Sequence, residues 1–380
     1  MRVMLLIPKY KSELIEGATF IYPPLTEHIV ASELGCDTVV WDENQYGYVT
    51  NDALNNVDCI AFSSSCGLHR RDKYLYRLID LKRRKEGLKF ILGGSNQLTD
   101  PLNHNGFEQV FVGGVNEKTV LNSGINGYSD TFETYKFPVI YSAYGCGYDC
   151  SYCLSSELGG WKPRPVERIR DDLCAINYSN MDYFEFLDTD FFYYRHYTYE
   201  VMNLLDSKTS WGARISKPCL SKSVGVNFIL SLLILAMNKN LVTLGIEACS
   251  FDFTVLKYLN RAYVIDFSKL LLKSISNCLG KSIKIYCTLL YGLPYQTYDS
   301  HMGDIEFIEE CGFKTITSPL RVFPGTKLFE IWDNNPNRLN YTLDDLDQVL
   351  ESNWMNAVEI ERCDIIRKQI NASTYSEVWN

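Results

Sequence analysis

The stretch Tyr144-Gly-Cys-Gly-Tyr-Asp-Cys-Ser-Tyr-Cys153 places Cys146, Cys150 and Cys153 at CxxxCxxC spacing. Three thiolates spaced in this way can surround one cubic iron–sulfur cluster. Such clusters normally take four cysteine ligands, so three leave one iron open to a small ligand. Catalytic metal sites keep a position open, whereas structural sites are closed. The stretch therefore predicts a cluster at which chemistry takes place.

A zinc knuckle is the alternative interpretation of these cysteines. Zinc sites usually combine a CxxC pair with a second Cys or His pair further along the chain. The next cysteines, Cys174 and Cys219, stand alone, and the loop follows an apolar, strand-like segment, Phe137–Ala143. The ligand set favours a cluster over zinc, although spacing alone leaves zinc or a chance grouping open.

Composition indicates a soluble enzyme. The chain has 380 residues, 46% of them hydrophobic and 22% charged, which is enough for two domains with sizeable cores. Its net charge of −9 predicts no nucleic-acid partner. The longest apolar run, Phe228–Met237, is about half a membrane span, so we expect a buried helix there and no membrane association.

Thirteen cysteines in a chain without a recognisable secretion signal predict a reducing compartment, the cytoplasm. Free cysteine is among the most buried residue types. We therefore expect nearly all cysteines outside the CxxxCxxC stretch to fill the hydrophobic core.

Strands and helices alternate over the first third of the chain, which predicts a parallel, doubly wound Rossmann-like domain over residues 1–130. Helices are predicted over 25–34 and 73–86. Open parallel sheets bind ligands at the carboxyl ends of their strands, which here are rich in serine and glycine. The predicted strands are Arg2–Ile7, Thr38–Trp41, Cys59–Ser63, Lys89–Leu92 and Gln109–Val112.

The segment Gly145–Cys153, with an aromatic residue before its last cysteine, resembles the signature loop of the radical SAM superfamily. The resemblance implies an oxygen-sensitive 4Fe-4S cluster on Cys146, Cys150 and Cys153. It also implies that the amino and carboxylate groups of S-adenosylmethionine bind the open iron. A low-potential donor such as flavodoxin or ferredoxin would reduce the cluster, and cleavage of the cofactor would give a 5′-deoxyadenosyl radical.

Residues 131–330 are similar to the family's partial parallel (β/α)6 barrel, and 331–380 is predicted to be a short helical tail with a helical patch at Thr342–Ala357. Gly292–Thr297 and Arg321–Thr326 resemble two of the family's turns. Catalytic roles are implied for Asp188 and Glu247. For Arg214, a surface ion pair is the alternative to a cofactor contact. The residues implied to bind S-adenosylmethionine are Tyr152, Asp188, Asp190, Arg214, Gly245 and Glu247.

The first domain is similar to the cobalamin-binding domain of many radical SAM methyltransferases, on the strength of Pro23–Leu25, Asp42 and two glycine-containing turns. Free-standing cobalamin domains carry a DxHxxG motif, and Asn44 stands at the histidine position. Cobalamin would therefore bind without a lower histidine, unless Asn44 is simply a loop residue. The residues implied to contact cobalamin are Ser63, Ser64, Gly93, Gly94, Gly114 and Glu117.

These resemblances imply cobalamin-dependent methylation of an unactivated carbon in a small-molecule or peptide substrate. Cyclisation or rearrangement with cobalamin, and a cobalamin-free enzyme whose first domain binds substrate, remain alternatives. Outside enzymes, the chain could be an iron–sulfur binding protein with a degenerate barrel. A methylthiotransferase is disfavoured because only Cys66 lies near one of the three thiolate positions of that family's second cluster.

Overall fold

The computed structural model describes residues 2–7, 37–63, 79–94, 109–112, 137–158, 160–178, 181–206, 208–216, 226–261, 265–279, 282–344 and 347–379. The chain divides into two compact units, and the division falls between Pro138 and Val139. Residues 331–379 belong to the second unit. Each unit is built on its own parallel sheet.

The first unit contains five parallel strands in the order β2-β1-β3-β4-β5. Strand β1 has five buried apolar residues in succession, as expected for a strand that is covered on both faces of a parallel sheet. The predicted strands are confirmed, whereas the predicted helix over 25–34 lies outside the described residues. The strands are β1 Arg2–Ile7, β2 Asp37–Asp42, β3 Cys59–Ser63, β4 Lys89–Gly94 and β5 Gln109–Val112.

Short helices accompany this sheet. Helix α1 is Glu43–Tyr46, helix α2 is Asn51–Asn55, and residues 79–84 are also helical. Two apolar clusters form the core, one containing Met4 and Phe62 and the other containing Val3 and Ala61. Because neighbouring residues of a strand point to opposite faces, the two clusters lie on opposite sides of the sheet.

The second unit contains an open sheet of six parallel strands. Its order is β13-β12-β11-β10-β9-β6, so β6 and β13 form the edges. The strands are β6 Val139–Ile140, β9 Tyr183–Phe186, β10 Ser210–Ser216, β11 Leu241–Cys249, β12 Lys284–Tyr291 and β13 Lys314–Pro319. A small antiparallel pair, β7 Ala143–Tyr144 and β8 Lys162–Pro163, brackets the cysteine segment.

Helices alternate with these strands, as the partial-barrel prediction requires. They are α3 Val166–Tyr178, α4 Arg195–Met202, α5 Val226–Met237, α6 Phe253–Tyr258, α7 Ile265–Leu279, α8 Tyr298–Glu310, α9 Lys327–Asn334, α10 Pro336–Leu339 and α11 Ala357–Trp379. Capping side chains explain where two of these helices begin. Asp252 accepts two backbone N–H bonds at the start of α6, and Thr297 forms a capping box with Ser300 at the start of α8.

The two faces of the second sheet differ in chemistry. Trp211, Leu244 and Ile246 are fully buried and alternate with residues on the opposite face. The strand register places the residues of the polar face side by side on neighbouring strands. Arg214 pairs with Gly245, and Glu247 pairs with Thr288. Parallel (β/α) folds carry their sites at the carboxyl ends of the strands, and Glu247 lies near that end of β11.

Helix α11 lies along the edge strand β13. The Asn371 side chain accepts from the Thr317 N–H and donates to the Thr317 carbonyl, both at 2.9 Å. Thr374 donates to the Thr315 carbonyl at 2.7 Å. These side chains occupy the hydrogen-bonding groups that a further strand would otherwise take.

The predicted helical patch at Thr342–Ala357 is wrong. The structure forms an antiparallel pair there, β14 Thr342–Leu343 and β15 Val349–Glu351, and the helix begins at Ala357. Val349 is buried in an apolar cluster with Leu320, so tertiary packing outweighs helix propensity at this point.

The run Phe228–Met237 is helical, as predicted, and it lies within α5. Among the described residues, no helix combines the length and the apolar character that spanning a membrane requires.

Candidate functional site

The cysteine segment leaves β7 and returns through β8. Cys150 is buried, whereas Cys146 and Cys153 are partly exposed, and all three are free thiols. Two backbone bonds anchor the segment to the rest of the unit. The Ser151 N–H donates to the Leu259 carbonyl at 3.0 Å, and the Leu328 N–H donates to the Ser151 carbonyl at 2.8 Å.

The three thiols lie close enough to influence one another. Burial raises the pKa of Cys146, and the negative charges of Cys153 and Cys150 add to the rise, while hydrogen bonds from Tyr148 and Thr189 oppose it. Burial also raises the pKa of Cys150, against the opposing charge of Arg261. Cys146 and Cys150 are therefore protonated in the free protein, and metal binding would release their protons.

Among the described residues, no three His, Cys, Asp or Glu side chains converge on one point as ligands of a single ion do. A cubic cluster differs from such a site, because each of its thiolates binds a different iron. Three thiols on one partly buried loop are a donor set that could hold an iron–sulfur cluster.

Asp188 binds the two residues that lead into the cysteine segment. Its carboxylate accepts from the Ser142 N–H at 2.9 Å, the Ser142 hydroxyl at 2.7 Å and the Ala143 N–H at 2.7 Å. It is 3% exposed, and burial raises its pKa to about 6 although these bonds oppose the rise. The family resemblance implies a catalytic and cofactor-binding role for Asp188, but both of its oxygens face protein donors.

Asp190 connects the middle of the segment to strand β10. Its carboxylate accepts from the Tyr148 hydroxyl at 2.9 Å, the Ser216 hydroxyl at 2.7 Å and the Phe192 N–H at 3.1 Å. Burial raises its pKa to about 6. Because Tyr148 lies between Cys146 and Cys150, Asp190 positions the loop that carries the thiols.

Arg214 and Glu247 meet on the polar face of the sheet. Arg214 Nε lies 3.8 Å from Glu247 Oε1, and the side chains are 27% and 29% exposed. The Thr288 hydroxyl donates to Glu247 Oε2 at 2.5 Å. The ion pair predicted as the alternative for Arg214 exists, and it lies beside the carboxyl ends of β10 and β11.

Gly245 makes room for Tyr286. A Cβ atom at Gly245 would lie 2.5 Å from the Tyr286 hydroxyl oxygen and 2.6 Å from its ring. Tyr286 is 3% exposed and packs on Trp379, with ring centroids 5.0 Å apart. The structure thus gives Gly245 a packing reason that is independent of any cofactor.

Tyr152 and Arg261 form a buried contact beside the cysteines. Arg261 Nη1 donates to the Tyr152 hydroxyl at 3.0 Å and lies 3.5 Å from Cys150 Sγ. Arg261 Nη2 donates to the Glu247 carbonyl at 2.5 Å. Arg261 therefore connects the cysteine segment to the end of β11.

Sequence reasoning missed Arg261 and Glu185. Arg261 follows α6 and lies 111 residues along the chain from Cys150, so no local spacing could indicate the contact. Glu185 is 2% exposed and accepts from Trp379 Nε1 at 2.6 Å and from the Tyr183 hydroxyl at 2.7 Å. A carboxylate inside an apolar strand, Tyr183–Phe186, is the signal that could have found Glu185.

Part of the predicted cobalamin site lies at the carboxyl edge of the first sheet. Ser63 ends β3 and pairs with Gly93, and the next residue, Gly94, pairs with Val112. The other predicted cobalamin contacts, Ser64, Gly114 and Glu117, lie outside the described residues. Their contact with cobalamin stays a prediction.

Comparisons with known proteins give matches only at the level of fold. No family model and no curated protein sequence matches the chain. It is similar to the radical S-adenosylmethionine methyltransferase TsrM from Kitasatospora setae with cobalamin and [4Fe-4S] cluster bound. The TM-score is 0.64 and the identity 13%, over 88% of this chain and 78% of TsrM. This chain has the fold of cobalamin-dependent radical SAM enzymes.

Two further structures agree. TsrM with its tryptophan substrate and aza-SAM aligns with a TM-score of 0.61 at 12% identity, over 89% of this chain and 77% of that one. The cobalamin-dependent radical enzyme OxsB, with aqua-cobalamin and S-adenosylmethionine bound, aligns with a TM-score of 0.59 at 13% identity. That alignment covers 94% of this chain but 57% of OxsB. The fold class predicted from the sequence is confirmed.

Proposed function

We propose that this chain is a radical SAM enzyme that holds a 4Fe-4S cluster on Cys146, Cys150 and Cys153. The observation that carries the proposal is the placement of these thiols together on one loop, which Asp188 and Asp190 attach to the parallel sheet. When bound, the cluster supplies the electron that cleaves S-adenosylmethionine to a 5′-deoxyadenosyl radical, and cobalamin supplies a methyl group.

We infer that Arg214 and Glu247 bind the cofactor on the polar face of the sheet. A guanidinium can hold a carboxylate through paired N–H bonds, and a carboxylate accepts from an ammonium group. Both side chains are partly exposed and their separation of 3.8 Å is long for an ion pair. Asp188 and Asp190 act as positioning residues because their oxygens are engaged by the protein.

Methylation of an unactivated carbon is the finer proposal. Its support is the shared fold with TsrM and OxsB, which bind cobalamin, together with the separate parallel sheet of the first unit. The substrate class we propose is a small molecule or a peptide, and the electron donor is a low-potential protein such as flavodoxin or ferredoxin.

Anaerobic reconstitution with iron and sulfide tests the cluster. We expect each of Cys146→Ala, Cys150→Ala and Cys153→Ala to lose the cluster absorbance and 5′-deoxyadenosine formation, measured by liquid chromatography with mass detection. Cys174→Ala and Cys278→Ala are matched controls because both thiols are exposed and stand outside the segment. Cofactor cleavage that persists in a segment variant would refute the cluster assignment.

Product analysis tests the methyl transfer. A corrinoid that remains bound after gel filtration, with transfer of isotope from labelled methyl-S-adenosylmethionine to a product, supports methylation. Bound corrinoid without label transfer would indicate cyclisation or rearrangement instead. Cofactor cleavage without any bound corrinoid would indicate a cobalamin-free enzyme.

A further inference from the structure

Arg261 is a buried cation whose described hydrogen-bond acceptors are neutral groups in the free protein, although the charge of Glu247 also acts on it. It is 8% exposed, and its hydrogen-bond acceptors are the Cys150 thiol, the Tyr152 hydroxyl and the Glu247 carbonyl. Its Nε has no hydrogen-bond partner among the described residues. Burying a charge costs free energy unless an anion compensates it. Glu247 offsets part of this cost, and an anion at the position of Cys150, which Arg261 contacts directly, would offset more of it.

A cluster bound through thiolates supplies that anion. Replacing the Cys150 proton by iron leaves a thiolate sulfur in contact with Arg261 Nη1, now 3.5 Å away. Hydrogen bonds between charged partners are shorter and stronger than those between neutral ones. The contact between Arg261 Nη1 and Cys150 Sγ would thus become a charge-assisted hydrogen bond when the cluster is in place.

We propose that Arg261 raises the reduction potential of the cluster through its charge and its N–H···S contact with Cys150. This inference rests on the proposed function. Reduction brings one electron from the donor protein, which is oxidised, to the cluster, which becomes more negative by one charge; no bond forms or breaks. A buried cation a few ångströms away stabilises the more negative state more strongly, and hydrogen bonds to the sulfurs, net charge and exposure all set cluster potentials.

The contact also has a structural component, which a potential measurement separates from the electrostatic one. Arg261 connects the cysteine segment to Glu247 on β11. If that were its whole role, substitution would change the amount of cluster bound or the protein's stability but not the midpoint potential. A shift in potential at unchanged cluster content is the property of a tuning residue.

The experiment compares Arg261→Gln and Arg261→Lys with wild type by redox titration with dithionite and mediators, followed by electron paramagnetic resonance. Arg367→Gln is the matched control, since Arg367 is also 8% exposed and bonds to Asp364 at 2.8 Å rather than to a cysteine. Iron and sulfide content is measured for each protein. Because the readout is the midpoint potential, neither substrate nor turnover is required.

We expect the midpoint of Arg261→Gln to fall by about 59 mV or more, a tenfold lower ratio of reduced to oxidised cluster at a fixed potential. Arg261→Lys keeps the charge without the planar fork, so its midpoint falls by less. Arg367→Gln keeps the wild-type midpoint. If Arg261→Gln binds no cluster, Arg261→Lys decides, and an unchanged midpoint in the loaded variant overturns the proposal. A wild-type protein that binds no cluster would instead refute the proposed function.

Discussion

Asp188 directs both carboxylate oxygens to the backbone and hydroxyl that precede the cysteine segment. Three donors converge on it from two successive residues, Ser142 and Ala143. An aspartate following a strand that resembles a cofactor-binding strand invites a catalytic role, but its burial and its satisfied oxygens support a positioning role. The chemistry of a single residue therefore depends on which donors the fold places around it.

Asp188→Ala should lower the free energy of unfolding by about 3 kcal/mol, because it leaves buried donors at Ser142 and Ala143 without an acceptor. The iron content after reconstitution should fall as well, since the segment loses its attachment. Urea denaturation and iron analysis measure the two effects. Asp206→Ala is the control, because Asp206 also accepts from two backbone N–H groups, at Lys208 and Thr209, but is exposed. Equal losses in both variants would contradict the positioning role.

His301 provides a residue-scale prediction about pH. It is 1% exposed, its Nε2 lies 3.3 Å from the Thr317 hydroxyl, and burial lowers its pKa to about 4. Since unfolded histidine titrates near 6.5, the unfolded chain binds a proton that the folded chain does not. The contribution of neutral His301 to the free energy of unfolding is fully present above pH 6.5. It decreases as the pH falls towards 4, by about 3 kcal/mol in all.

His301→Gln should remove this dependence while keeping a hydrogen-bonding side chain of similar reach. Its free energy of unfolding, measured between pH 7 and 4, should fall less steeply than that of wild type. The difference between the two proteins isolates His301, because the raised pKa values of Asp188 and Asp190 act in both. Parallel profiles would show that His301 is not the group responsible.

At the scale of elements, helix α11 covers the outer edge of strand β13, whose other edge pairs with β12. Edge strands present free N–H and C=O groups that promote association with other chains. Asn371 reproduces a strand-like pair of bonds to Thr317, and it is fully buried. The C-terminal part of the predicted helical tail thus contacts the edge strand of the second sheet.

Asn371→Ala should lower the free energy of unfolding by about 3 kcal/mol, because the backbone N–H and the backbone carbonyl of Thr317 both lose their hydrogen-bond partner. Chemical denaturation measures the loss, and light scattering should show association as β13 becomes available. Ser373→Ala on the same helix is the control, since Ser373 is exposed and bonds only within the helix, to Glu377. A stable, monodisperse Asn371→Ala protein would contradict the covering role.

At the scale of the whole molecule, the two units have separate sheets and separate hydrophobic cores. Loss of the cluster segment therefore leaves the core of the first unit intact. If the first unit binds cobalamin as proposed, the triple variant Cys146→Ala, Cys150→Ala, Cys153→Ala should retain as much of it as wild type does, measured by corrinoid absorbance after gel filtration. Loss of the corrinoid from the folded variant would show that its binding depends on the cysteine segment.

The sequence by itself determined the strand positions of the first sheet and the thiols at positions 146, 150 and 153, because burial on both faces and ligand spacing are local patterns. It also pointed to Glu247 and Arg214 on neighbouring strands. Only the tertiary structure decided that Asp188 and Asp190 face the loop, that Gly245 accommodates Tyr286, and that α11 replaces a strand. It also decided the contact of Arg261 with Cys150, which lie 111 residues apart along the chain. Those contacts join residues far apart in the chain, and their free energy depends on burial and geometry that no local pattern contains.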